Sequence, residues 1–326
     1  MRQHQLYKHT LCINCFTTDA LTEEHVFADG AGGYVTAYIL CKTCNGHFGA
    51  NIDSPYLKQP VVELARNTLR IGGRRRIIPQ PLKGPYIVEG PAGEATINLD
   101  VDFNPRVVPK VHDIEILEDG GLALSMVIDA KDRDKIPGIV RSKYERFFKS
   151  EEGAALGWSK DEQEKALKDT IDGYMSAPDK ETPTGTLSNS ITINASTLFL
   201  EAAKVAFEIA AIEDGLDFVE SARADQFRDL FKRVERGEIK DIPTFRQMLS
   251  SFNAAEIPLN SPIARSIDWM TGGEAHENHV AILNGPHGII SMFGIPYLFV
   301  NLRRRSGRDV FYINNARTGD LRVERA

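Results

Sequence analysis

The 326-residue chain has no apolar run long enough to span a membrane. Its most apolar tract, residues 288–300, is short and is broken by Gly294 and Pro296. Residues 1–10 are polar and lack the hydrophobic stretch of a secretory leader. These absences predict a soluble cytoplasmic protein that makes no use of a membrane. Tandem repeats and low-complexity segments are missing too, and the apolar and charged fractions are ordinary, so the length suits two globular domains. A basic excess is also lacking, since the net charge is −6. Cysteine is scarce, with four residues in all, and every one lies within the first 44 positions.

Those four are arranged as two pairs, Cys12-Ile-Asn-Cys15 and Cys41-Lys-Thr-Cys44. Each pair offers two thiolates from one tight turn, and the 25 residues between them let the pairs converge on one tetrahedral ion. Zinc favours that donor set, and a reducing cytosol favours metal binding over disulfides. The spacing therefore predicts a structural zinc site. Between the pairs stands Glu24-His25-Val26, and the second pair runs directly into Asn45.

In this order of elements the segment resembles the HNH endonucleases, in their zinc-stapled ββα-metal branch. The resemblance covers about residues 10–55 and includes Gly32-Gly33, Phe48-Gly49 and Ile52-Asp53, with Thr36 where the family usually has asparagine. It implies a strand end presenting Glu24 and His25, and a helix after Cys44 presenting Asn45. It further implies His25 as general base for water, with Glu24 and the Asn45 side-chain oxygen as ligands of a catalytic Mg²⁺ or Mn²⁺. The chemistry suits those residue types. A neutral imidazole takes a proton from water at cellular pH. A hard divalent ion prefers oxygen donors and keeps several waters. His47 is a further candidate in the same stretch. The bland reading stays open: a zinc ribbon that stabilises a small module, or binds DNA without cutting.

The charge is unevenly divided. Residues 1–84 hold ten Lys/Arg against six Asp/Glu, a balance of +4, which leaves −10 for the remainder. The basic part is densest at Arg66, Arg70, Arg74, Arg75 and Arg76. Residues 60–70 read as a short helix with Arg66 and Arg70 on one face, ended by Gly72-Gly73. An arm that follows DNA phosphates is the functional reading, and a solvated linker the alternative.

Residues 85–326 follow a proline-rich boundary at Pro79, Pro81 and Pro85. Residues 95–103 alternate as a strand, and 114–128 read as a hairpin around Asp119-Gly120. Residues 151–177 read as an exposed helix or helical hairpin. Residues 198–212 form an apolar helix whose one polar stripe is Glu201, Lys204 and Glu208. An amphipathic helix at 227–234 ends at Gly237, and strands at 279–283, 289–293, 297–302 and 310–313 close the chain. His276, His279 and His287 read as loop and strand-edge residues, and Arg303-Arg304-Arg305 as a solvated hairpin end beside a turn at Ser306-Gly307.

The predicted class is α+β, with a small N-terminal ββα-metal zinc module in residues 1–84 and a larger mixed α+β domain in 85–326. The expected activity is metal-dependent endonucleolytic hydrolysis of DNA, of a restriction or anti-phage defence type. The second domain is expected to choose when or where cutting occurs. Its acidity favours a protein or small-molecule activator over a DNA-reading role. A homodimer suits double-strand cleavage, because one module has one centre. The competing reading is a non-catalytic, zinc-containing DNA-binding or regulatory protein on an inactive module.

Overall fold

A computed structural model of the chain describes residues 7–90, 93–178, 187–239, 247, 249–295, 297–304 and 308–326. Strands β1 (Tyr7–Lys8), β2 (Leu21–His25) and β3 (Thr36–Cys41) form a sheet in the order β1-β3-β2, with β2 antiparallel to β3. Helix α1 (Lys42–Phe48) begins directly after Cys41. Its path continues through a wider π-helical turn at Gly49–Asp53 into α2 (Ser54–Leu57), and α3 (Pro60–Thr68) follows. The succession β2-β3-α1 is the ββα arrangement that the resemblance implies.

Helix α3 stops earlier than its sequence predicts. The Ile71 amide bonds the Arg66 carbonyl at 2.8 Å, the Arg70 amide bonds Asn67 at 3.1 Å, and Arg70 is left-handed with φ 58°. This is a Schellman closure with arginine in the position usually given to glycine. Arg66 and Arg70 therefore do not share a helical face.

Residues Leu82–Ser190 form a compact unit of their own. Strands β4 (Tyr86–Gly90), β5 (Gly93–Leu99) and β6 (Pro105–Val107) make an antiparallel sheet. The strand expected through Phe103 ends at Leu99, because Asp100 Oδ1 accepts the amides of Asp102 and Asn104, each at 2.9 Å, and closes a turn. Strand β7 (Lys110–Val111) pairs with β10 (Met126–Val127), enclosing the hairpin of β8 (Glu115–Ile116) and β9 (Leu122–Ala123). Helices α4 (Ile136–Phe148), α5 (Glu151–Ala155) and α6 (Lys160–Ser176) complete the unit, whose small core includes Ile114, Val140, Tyr144 and Leu167.

The chain then returns to the first unit, which combines Met1–Pro81 with Ile191–Ala326. Helix α7 (Ala195–Asp214) is followed by α8 (Leu216–Val219), α9 (Ala222–Glu235), β11 (Ala255–Glu256) and α10 (Pro262–Met270). Five further strands, β12 (Asn278–Asn284), β13 (His287–Met292), β14 (Tyr297–Asn301), β15 (Val310–Asn315) and β16 (Leu321–Arg325), join β11 in an antiparallel sheet ordered β11-β14-β13-β12-β15-β16. Strand alternation divides its faces. Val280, Ile282 and Ile313 pack with α10, whereas Ala281, Leu283 and Tyr312 join a core shared with α7 and with Ile13, Phe27, Ile39 and Phe48 of the N-terminal module. Residues 191–326 thus share one hydrophobic core with the module rather than standing apart from it. The described helices include none long and apolar enough to cross a membrane.

Two expectations for the C-terminal strands change. His279 lies inside β12, fully buried, with Nε2 2.8 Å from the Ala31 carbonyl and its ring stacked on Phe27. Arg304 is buried as well, its Nε and Nη2 each 2.7 Å from a carboxylate oxygen of Asp214. Such a bidentate, charge-assisted pair offsets the cost of burying a guanidinium. Arg305, Ser306 and Gly307 lie outside the described residues.

Candidate active site

The Sγ atoms of Cys12, Cys15, Cys41 and Cys44 all lie within 4.8 Å of one another, and Cys15 and Cys41 are 3.7 Å apart. A Zn–S bond of about 2.3 Å gives a tetrahedral edge of about 3.8 Å, so the four thiols fit zinc in number, softness and spacing. None forms a disulfide. A hydrogen bond from Cys44, helped by the backbone amides of Cys41, Cys15 and Asn14, pushes the Cys12 thiol down to about 4, so it is readily available as thiolate. Asn14 Nδ2 donates to Cys44 Sγ at 3.3 Å, the kind of outer contact that orients a ligand. Cys41 ends β3 and Cys44 sits in the first turn of α1, so the cluster fixes the strand-to-helix junction.

That junction positions an open cleft of about 540 Å³, lined by Glu24, His25, Asn45, Asp53, Arg66, Arg74 and Arg75 among others. Asn45 Nδ2 donates to the Glu23 carbonyl at 2.9 Å and to Thr22 Oγ1 at 3.1 Å, tying α1 to β2. A carbonyl can only accept, so the amide nitrogen is fixed there and Oδ1 is the side-chain atom that could meet a cation. His25 stands at the end of β2, opposite Thr36, and Asp29 Oδ1 is 3.6 Å from its Nε2. Burial lowers the affinity of His25 for a proton, while the Asp29 carboxylate works the other way; the balance lies below the ordinary histidine value. The imidazole is thus neutral at cellular pH. Asp29 Oδ2 in turn accepts from Arg74 Nε at 2.8 Å.

Glu24 is almost wholly buried, and its Oε1 lies 2.9 Å from Lys204 Nζ. The same ammonium donates to Asp53 Oδ1 at 2.7 Å and to the His25 carbonyl at 3.1 Å. Burial alone would discharge Lys204, but the Asp53 and Glu24 carboxylates outweigh it and hold the amine charged. Glu201 Oε1 accepts the Ala28 amide at 3.3 Å, and burial raises the Glu201 carboxyl well above the usual range. The sequence puts Glu201, Lys204 and Glu208 on one stripe without giving them a role, and it gives none to Asp53 or Asp29. The signal was there: a helix buried on every side cannot carry Lys204 without carboxylate partners.

Three of the five arginines face this cleft. Arg70 and Arg76 are not among its lining residues, and both have left-handed backbone, at φ 58° and 54°. His47 is half exposed and lies 3.2 Å from Glu235 rather than in the cleft wall. Gly32 and Gly33 are needed for close approach. A Cβ at Gly33 would lie 1.9 Å from the Phe27 carbonyl oxygen, and one at Gly32 would lie 2.4 Å from that of Ala316. Asn314 holds the same loop, accepting the Tyr34 amide at 2.6 Å and donating to the Gly32 carbonyl at 3.0 Å.

Oxygen donors from Glu24, Asp53 and Asn45 within one cleft fit a hard divalent ion that retains part of its water shell. Among the described residues, the four cysteines are the cluster whose side-chain ligand atoms already stand within bonding range of one ion. Comparison with known proteins gives no match among curated proteins or solved structures. Residues 10–61, which hold the four thiols, Glu24, His25, Asn45 and Asp53, match the family model described as HNH endonuclease, and this segment of the chain is an HNH module.

Proposed function

We propose that the chain is a metal-dependent endonuclease that hydrolyses DNA phosphodiester bonds, with His25 as general base. The reading rests on one observation: Glu24, His25 and Asn45 line the same cleft as Arg66, Arg74 and Arg75. With Nε2 of His25 turned to Asp29, Nδ1 is the nitrogen that takes the proton of an attacking water. The water oxygen bonds to phosphorus, the bond to the leaving oxygen breaks, and that oxygen takes up a proton from solvent. Arg66, Arg74 and Arg75 bind the flanking phosphates. Glu24, Asp53 and Asn45 would hold Mg²⁺ or Mn²⁺, which supplies charge stabilisation at the scissile phosphate.

Control belongs to residues 82–190. They hold fourteen Lys/Arg against twenty-one Asp/Glu, a balance of −7, which suits a protein partner or small signal better than DNA. Residues 191–326, by contrast, share the core of the HNH module. A restriction or anti-phage effector licensed through the acidic unit is the biological role that this division supports.

Plasmid cleavage by the purified chain with Mg²⁺ or Mn²⁺, beside His25→Ala and an EDTA control, tests the reading. Cutting that needs both the metal and His25 is the expected result. Cutting by the His25 variant at the wild-type rate would overturn the assignment of the base. An absence of cutting, with DNA still bound, would favour the non-catalytic alternative.

A further inference from the structure

Lys204 is separated from Glu24 by 180 residues and lies outside the segment that matches the HNH family. An ammonium has three N–H donors and no acceptor. Two of them are donated within the module, to Asp53 Oδ1 at 2.7 Å and to the His25 carbonyl at 3.1 Å, and Glu24 Oε1 lies 2.9 Å from the ammonium as an ion pair. The side chain is fully buried, so water cannot replace any of them. Its helix, α7, is buried along nearly its whole length, which denies the ammonium another position. Two carboxylates on one cleft wall would otherwise repel each other and swing apart. A fixed cation between them draws one oxygen of each inward, and both residues remain on the cleft lining.

We propose that Lys204 is a positioning residue of the nuclease centre, holding Glu24 and Asp53 as a convergent carboxylate pair for one divalent cation and fixing the backbone that carries His25. This deepens the nuclease reading and rests on it for the cation. It also makes Asp53 a ligand beside Glu24 and Asn45. The centre is then completed by a helix 180 residues further along the chain, and the module depends on residues 191–326 for its geometry as well as for its core.

The test uses the full chain and Mn²⁺ as probe, with thermal melting and plasmid cleavage read in parallel. Lys204→Met leaves the two carboxylates without their counter-ion, so the metal-free variant melts below wild type. Mn²⁺ then takes the vacated place, and its upward shift of the melting temperature exceeds that in wild type. Cleavage nevertheless falls by roughly 10- to 100-fold, the usual cost of losing an outer-shell partner. A Mn²⁺ shift no larger than wild type's, or wild-type cleavage, overturns the proposal. Asp53→Asn keeps an acceptor for the ammonium and so keeps the fold if Lys204→Met does not. It is expected to shrink the Mn²⁺ shift and to slow cleavage by roughly 10-fold; an unchanged shift and rate overturn the proposal too. If wild type cuts under no condition, the nuclease reading fails, and the Mn²⁺ melting comparison still decides what Lys204 holds.

Discussion

Arg228 Nη1 donates to the Ile13 carbonyl at 3.0 Å, reaching from α9 into the loop that carries Cys12 and Cys15. Its Nη2 is held by the Val219 carbonyl at 2.9 Å and by Asp225 at 2.7 Å, and its guanidinium lies 4.5 Å from the centre of the Phe16 ring. The first Cys-x-x-Cys turn is therefore fastened twice, by its metal chemistry and by a helix more than 200 residues later. Since Ile13 belongs to the core shared with α7 and the C-terminal sheet, loss of zinc should be felt well beyond the knuckle.

Cys41→Ser is expected to lose zinc and to lower the melting temperature by at least about 10 °C, since each kcal/mol is worth about 2–4 °C in a unit of this size. Metal content and calorimetry on the full chain check it. A variant that retains zinc and melts with wild type would contradict the structural-zinc assignment.

The parts of this site that could be read from sequence are those whose chemistry demands local spacing. Four thiols on one ion must come as close pairs, and Glu24, His25 and Asn45 sit on the strand end and helix start that those pairs fix. Lys204 was legible only as a polar interruption of an apolar helix, because its partners are set by tertiary packing. Arg70 misled for a different reason: the helical spacing from Arg66 is correct, but a left-handed residue ends the helix first. His279 and Arg304 read as surface residues until strand register and Asp214 gave them buried partners.

The pH profile of cleavage follows from the surroundings of His25. The base acts when deprotonated, and burial holds its proton affinity below the ordinary value. Single-turnover rates should therefore rise with pH through a midpoint under about 6.5 and be level above it. Asp29 is the nearby charge that opposes burial, so Asp29→Asn should move the midpoint lower still. A midpoint that does not move in Asp29→Asn would remove Asp29 from any role in setting the base.

The arginines should separate into two groups. Arg74 and Arg75 line the cleft, so their joint replacement by alanine should weaken binding to duplex DNA and flatten its salt dependence by about two, each phosphate contact contributing about 0.9 to the slope. Arg70→Ala and Arg76→Ala should leave that slope nearly unchanged. Titrations of a catalytically inactive background across salt concentrations measure both. Equal effects from all four would mean that DNA follows the exposed arm rather than the cleft.

His279 makes acid stability testable at a single buried group. Its Nε2 faces the Ala31 carbonyl, which can only accept, so the ring proton sits there and Nδ1 is bare. Nδ1 is buried without a hydrogen-bond partner, and the ring is enclosed by Phe27 and Phe293, with centroids 5.2 and 4.5 Å away. Burial pushes its proton affinity from 6.5 down to about 4. The unfolded chain binds a proton on this residue before the folded chain does. Its contribution to stability is thus complete above about 6.5 and is lost as pH falls towards 4, amounting to about 3 kcal/mol over that range. His279→Gln keeps a donor for Ala31 but cannot titrate. At neutral pH it should be less stable than wild type, for want of the stacked ring, and the gap should narrow steadily as pH approaches 4. Urea unfolding at several pH values measures that gap, and because every other histidine is common to both proteins, parallel curves would mean that His279 is not the titrating group.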